Sequence, residues 1–184
     1  RSTQFQYASL VHAESPDANL SPAKFLHAYL AWAEFPQALL YKAQFAEAYL
    51  SDSNFAGASL SSVNFHNADL SEAVLSDTDL RSADLTEANL RQAEFHNADL
   101  RNADVLHSYL SHAKLIEANL LRANLSDATL HDTVLTRADC RGATFTASFL
   151  YETVFADTRI NSSTIFYDPE NTYYESITSR PACI

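Results

Sequence analysis

Residues Phe25 to Phe45 read FLHAYLAWAEFPQALLYKAQF, and every fifth residue of the stretch is Phe or Leu with Ala two places before it. Leu26, Tyr29, Trp32, Pro36, Leu39 and Tyr41 are then left over as apolar residues outside the regular positions. The regular set decides the fold. The left-over set bears on function.

Carried along the chain, the same register begins at Phe5 and Leu10 and reaches Ile165 without an insertion. Leu or Phe holds the position almost throughout; Val105, Ile160 and Ile165 are aliphatic substitutes, and Ser15 and Cys140 depart from it. The position two earlier is mostly Ala, replaced by small or β-branched residues such as Ser53, Val63, Thr78, Ser108 and Thr133. Between the two stands Asn or Asp in many repeats, as in NADLS, SADLT, EANLR and RANLS. Self-similarity at a fixed period is the mark of a repeat architecture.

Ala, Leu and Glu favour helices. Five residues, however, advance an α-helix by about 500°, or roughly 140° net, so the repeat would spiral round the helix without an apolar stripe. In an extended chain the small and large residues, two apart, share one face and the residue between them faces the other way. The next two residues, mostly polar, mark a corner. Each repeat is therefore one short side of a coil.

The columns give the number of sides. A period of 15 would stack Phe5, Leu20, Phe35 and Leu50, whereas a period of 20 stacks Leu10, Leu30, Leu50, Leu70 and Leu90 and, separately, Phe5, Phe25, Phe45 and Phe65. Four sides keep like rings together. Phe then faces Phe, and Leu faces Leu, across a square interior.

The tandem A(D/N)LXX pattern resembles the pentapeptide-repeat family over residues 3 to 165. That resemblance implies an all-β fold: a right-handed, four-sided parallel β-solenoid over residues 1–165, with residues 166–184 as a C-terminal capping tail. About eight coils of ~4.8 Å would make a rod roughly 40 Å long.

Composition narrows the function. The chain has 184 residues, 47% of them hydrophobic, with two Gly, five Pro and no Met. So few glycines predict corners that avoid positive φ. A net charge of −11 argues against unassisted binding to nucleic acid or anionic lipid. It suits a basic partner, or a chain that imitates a polyanion. No apolar run reaches the length of a membrane span. The opening residues RSTQFQYASL are neither an initiator Met nor a signal peptide, so a segment removed or missing at that end is expected.

Ser15 and Pro16 interrupt the interior near the start, where a residue without an N–H suits the end of a stack. Cys140 reads as a small buried thiol. A bridge to Cys183 is the alternative and requires the tail to fold back across the intervening coils. Phe166, Tyr167, Tyr173, Tyr174 and Ile177 could cover the last coil, whose edge would otherwise be unpaired. The N-terminal edge would be covered by missing residues, a second copy in a homodimer, or a partner.

Catalytic chemistry finds little support. His12, His27, His66, His96, His107, His112 and His131 all face outward in this register, and His107 and His112 lie on neighbouring faces without a third ligand between them. Ser and Asp are repeat filler, a straight rod offers no water-excluding cleft, and two glycines make no phosphate loop. No catalytic, cofactor or metal site is expected. Arg81, Arg101 and Arg141 stack beside Asp79, Asp99 and Asp139, an opposed-charge ladder on a solvated face.

The left-over residues carry the functional expectation. Leu26, Tyr29, Trp32, Leu39, Tyr41 and Tyr49 point outward, with Glu34, Glu47 and Lys42 as a polar rim, and form a candidate protein-interaction patch. Tyr109, Phe149 and Tyr151 form a second, smaller set on the same face as Tyr29. The favoured reading is a non-catalytic structural module that docks onto a larger protein assembly. Its style resembles pentapeptide proteins of cyanobacteria and plastids, including thylakoid-lumen members, and so leans towards a photosynthetic assembly. The alternative resembles another branch of the family: acidic, DNA-mimicking quinolone-resistance proteins that bind gyrase or another topoisomerase in the cytoplasm. Those often carry Cys at the small position, Phe at the large one, and loop insertions; here the small position is Ala and acids alternate with Arg and Lys.

Overall fold

The computed structural model describes residues 3–167 and 182–183. In each repeat the residue between the small and large positions bridges in parallel to its counterpart twenty residues on: Gln4 to Lys24, Ser9 to Tyr29, Glu14 to Glu34, Asn19 to Leu39, and so onward to Asp139 with Arg159. Four bridges recur in every twenty residues, with a corner after each. The chain is an all-β solenoid of four short sides. Coils are joined by backbone hydrogen bonds in both directions: Phe25 N donates to Gln44 O at 2.6 Å, and Tyr29 N donates to Ala8 O at 2.9 Å. No helix among the described residues is long and apolar enough to cross a membrane.

Each corner is a four-residue turn closed on the large residue, as where Ala28 N donates to Phe25 O at 3.0 Å. Its third residue has positive φ: 56° at Trp32, 56° at Lys42, 60° at Glu87 and 59° at Glu117. A positive φ confined to that residue is the signature of a type II turn. This overturns the expectation drawn from the scarcity of glycine. A left-handed L-residue costs about 1–2 kcal/mol, but here its N–H donates to the next coil, as Trp32 N does to Ser51 O at 3.0 Å. Its side chain projects away from the interior. Pro22, which cannot reach positive φ, occupies one such place, and there the Ser21–Pro22 bond is cis.

The Asn or Asp of the motif also has a local task. The first corner residue has an N–H aimed at neither neighbouring coil, and the side chain two residues before it supplies the acceptor. Ser71 N donates to Asp69 Oδ1 at 3.1 Å, His66 N to Asn64 Oδ1 at 2.8 Å, and Leu121 N to Asn119 Oδ1 at 3.2 Å. These are Asx turns. Where Glu14 and Glu34 stand at the acceptor position, Pro16 and Pro36 follow two residues on and bring no N–H to satisfy.

The interior is the stack foreseen from the columns. Phe25 lies over Phe45 with centroids 4.5 Å apart and planes 1° apart, and meets Phe35 edge-on across the square at 6.2 Å. The Ala column leaves room for these rings. Where a hydroxyl replaces Ala it bonds to a carbonyl: Ser53 Oγ donates to Leu50 O at 2.7 Å and Thr133 Oγ1 to Leu110 O at 2.7 Å. Cys140 is fully buried and free, and burial pushes its thiol pKa up.

Among the described residues the register changes once, after Ile160. Ile165, not residue 164, pairs with Thr144, and Phe166 fills the inward place, stacked on Phe145 at 4.9 Å. Ile165 is accordingly exposed. The corner Asn161–Thr164 holds one extra residue, so the uninterrupted register expected to Ile165 is corrected here. Side chains replace the backbone acceptor that the shift removes: Gly142 N donates to Asn161 Oδ1 at 3.1 Å and to Thr164 Oγ1 at 3.2 Å. Strand β1 (Arg159–Ile160) pairs in parallel with β2 (Ala182–Cys183), matching Ile160 to Cys183. Ile160 therefore intervenes between Cys140 and Cys183 in the ladder. Two rungs of ~4.8 Å exceed the roughly 7 Å Cα limit for a bridge. Tyr173, Tyr174 and Ile177 lie outside the described residues.

Candidate functional site

The outward aromatic residues divide by side. Tyr29 and Tyr49 belong to one column, Ser9–Tyr29–Tyr49–Asp69–Asn89–Tyr109–Thr129–Phe149, with each residue bridged to the next. Tyr29 and Tyr49 stack at 4.9 Å, their planes 4° apart. The corner after this side carries Trp32, which stacks on His12 at 5.3 Å. The corner before it carries Leu26, only half-buried, and His27, which stacks on Tyr7 at 4.9 Å. His27 Nδ1 lies 3.3 Å from Glu47 Oε2, which places an acid at the rim.

Leu39 does not join this group. It bridges Asn19 and Ser59, in the column two corners away from Tyr29 and therefore on the opposite side. Tyr41 follows Leu39 round its own corner and has Lys42 over its ring at 5.0 Å. The single patch read from the sequence is thus two faces. In place of Leu39 and Tyr41, the Tyr29 face gains Tyr7, His12 and His27, which the sequence reading passed over. Their signal was present: His12 stands twenty residues before Trp32, and Tyr7 twenty before His27.

The smaller set keeps its place. Tyr109 and Phe149 continue the Tyr29 column, and Tyr151 stands at the Trp32 corner. Arg91 lies over the Tyr109 ring at 4.6 Å. Tyr29, Trp32, Tyr49, Tyr109, Phe149 and Tyr151 are each between 43% and 50% exposed.

A family model described as a pentapeptide repeat region matches residues 48–125. Those residues form a pentapeptide repeat region. Among solved structures, the chain is similar to HetL, a pentapeptide repeat protein involved in heterocyst differentiation regulation from the cyanobacterium Nostoc sp. strain PCC 7120. The two are 25% identical over 87% of this chain and 73% of that one, with a TM-score of 0.68. QnrB1, a plasmid-mediated fluoroquinolone resistance protein, shares the fold at 20% identity over 89% of this chain and 84% of its own, with a TM-score of 0.51. A pentapeptide repeat protein from the thylakoid lumen of Arabidopsis thaliana is 32% identical over 47% of this chain and 61% of that one, with a TM-score of 0.47. No curated protein sequence matches the chain.

Elsewhere on the chain, several opposite charges are paired. Arg81, Arg101 and Arg141 each hold the Asp two residues earlier through two nitrogens; Arg141 donates from Nε and Nη2 to Asp139 at 2.8 and 2.6 Å. The hydrogen bond from Arg141 lowers the pKa of Asp139 against the opposing effect of burial, and Arg81 does the same for Asp79. A shallow open groove of about 650 Å³ is lined by Glu72, Val74, Gln92, Glu94, His112 and Lys114, with Lys114 Nζ 2.9 Å from Glu94 Oε1.

The structure also brings together three groups that the sequence reading kept apart. His112 lies 3.6 Å from Asp132, and His131 lies 2.9 Å from the same carboxylate oxygen. Residues of one corner meet those of the corner twenty residues later, so the neighbour of His112 is the His131–Asp132 corner and not His107.

Proposed function

We propose that this chain is a non-catalytic docking module, a right-handed rod of about eight coils that binds a protein of a larger assembly through the Tyr29–Tyr49–Trp32 face. One observation supports the reading above the others. Tyr29, Tyr49, Tyr109 and Phe149 occupy the position where Asn or Asp would accept a hydrogen bond from the corner. An aromatic ring cannot supply that acceptor to Ala31, Ser51, Ser111 or Tyr151. The rings therefore give up a local contribution of ~0.5–1.5 kcal/mol each and leave apolar surface in water. Rings that forgo the corner hydrogen bond and remain about half exposed are best explained by a partner, and Tyr and Trp are the residues that anchor interfaces. Tyr7, His12 and His27 widen the contact, and Glu47 supplies a polar rim.

The test is co-purification from the native source. The wild-type chain is expected to carry its partner, and the Tyr29→Asn/Tyr49→Asn/Trp32→Ala variant to lose it. Retention of the partner by that variant would refute the reading.

The second reading, an acidic mimic of DNA that binds gyrase, has the net charge of −11 in its favour. The Arg–Asp ladders weigh against it, because they neutralise the acids along one corner. Failure to inhibit gyrase supercoiling would remove it.

A further inference from the structure

We propose that His112, His131 and Asp132 form a surface binding site for a divalent transition metal of the zinc class. The corner geometry produces it. His112 and Asp132 both occupy the third place of their turns, with φ of 62° and 54°, so successive coils project them in the same direction. His112 N donates to His131 O at 2.9 Å, which fixes the two corners against each other. His131, next to Asp132 in the chain, turns its ring edge-on to His112, with centroids 5.7 Å apart. Tyr151 stacks on His131, with centroids 5.0 Å apart.

The donor atoms suit the ion. The two imidazole nitrogens and the carboxylate oxygen all lie within 4.8 Å of one another. The Asp132 pairs measure 2.9 Å and 3.6 Å. Bonds of ~2.0–2.1 Å in a tetrahedron place ligand atoms roughly 3.3–3.5 Å apart, so small side-chain rotations are sufficient. Two imidazoles and a carboxylate, without a thiolate, favour zinc and its neighbours over calcium, magnesium or copper(I). Three protein ligands leave one position for water or for a donor from a partner. Among the described residues no other histidine joins a three-ligand cluster: His27 pairs with Glu47, and His66 Nδ1 bonds to Thr86 Oγ1. The site shares its corner with Tyr151, but it rests on ligand geometry and stands apart from the docking proposal.

The test uses the untagged full chain with zinc chloride in titration calorimetry and cobalt(II) chloride in visible absorption. One equivalent of zinc is expected to bind, and cobalt to give the intense visible bands of a low-coordinate site. His112→Ala, His131→Ala and Asp132→Asn are each expected to weaken binding by about tenfold or more; His27→Ala and His66→Ala leave it unchanged. Zinc should raise the Tm of the wild type but not that of His112→Ala/His131→Ala. These side chains point outward, and circular dichroism checks that each variant keeps its fold. Absence of saturable zinc binding, or affinity unchanged in the double variant, would overturn the proposal.

Discussion

Tyr29 lies over Tyr49, one coil apart, and the same column continues as Asp69 over Asn89, where Asn89 Nδ2 donates to Asp69 Oδ1 at 2.8 Å. One structural position thus holds either a hydrogen-bonding ladder or a ring stack. Replacing Tyr29 and Tyr49 with Asn converts the upper part of the column into the lower kind. Two corner hydrogen bonds of ~0.5–1.5 kcal/mol each offset one ring stack of similar size. The double variant is expected to match the wild type within about 1 kcal/mol in urea unfolding. A large loss would mean that the rings serve the fold.

The interior should respond in the opposite way. Phe45 is fully buried between Phe25 and Phe65 and meets Phe55 edge-on. Phe45→Ala is expected to destabilise by about 3–5 kcal/mol, because an inextensible stack cannot collapse around the void. Phe45→Leu should cost less, since Leu fills this column at Leu85 and Leu125. Equilibrium denaturation of both variants checks the order.

Corners give a backbone test. Glu87 sits at φ 60°, with its N–H donating to Leu106 O at 2.9 Å. Glu87→Gly is expected to leave stability unchanged or raise it, since glycine removes a left-handed penalty of ~1–2 kcal/mol and adds unfolded-chain entropy worth ~0.4–1 kcal/mol. Glu87→Val, β-branched at the same φ, is expected to lower it by more than about 1 kcal/mol. Melting curves that rank Val above Gly would contradict the turn assignment.

The charge ladder sets a pH dependence. The pKa of Asp139 is lowered by the Arg141 hydrogen bond, so its stabilising effect is present above the unfolded carboxylate value of about 3.9 and is lost as pH falls through the lower folded value. Arg141→Gln is expected to move the acid-unfolding midpoint to higher pH, and to converge with the wild type once both carboxylates are protonated. An unchanged midpoint would show the pair to be energetically silent.

What was legible in the sequence follows from what a column can record. The twenty-residue period, the Phe stack and the Arg–Asp ladder show because each places like residues at a fixed spacing. Corner φ leaves no such trace: Trp32, Lys42 and Glu117 are not glycines, and the hydrogen bond that holds them lies between coils. The extra residue in Asn161–Thr164 is hidden because Ile165 is apolar enough to pass for an interior residue, and Phe166 alone marks the true slot. Leu39 was grouped with Tyr29 by nearness along the chain, although ten residues are half a coil. His131 and Asp132 meet His112 through the corner, a relation visible only when two adjacent columns are read together.

The central claim is that one side of the rod, and not its opposite, meets the partner. Replacing Tyr29 with a photo-crosslinking phenylalanine analogue in the native source, and Leu39 in a parallel strain, measures this directly. A defined crosslinked product from position 29 and none from position 39 is the expected result. The same product from both positions, or a product from position 39 alone, would contradict it.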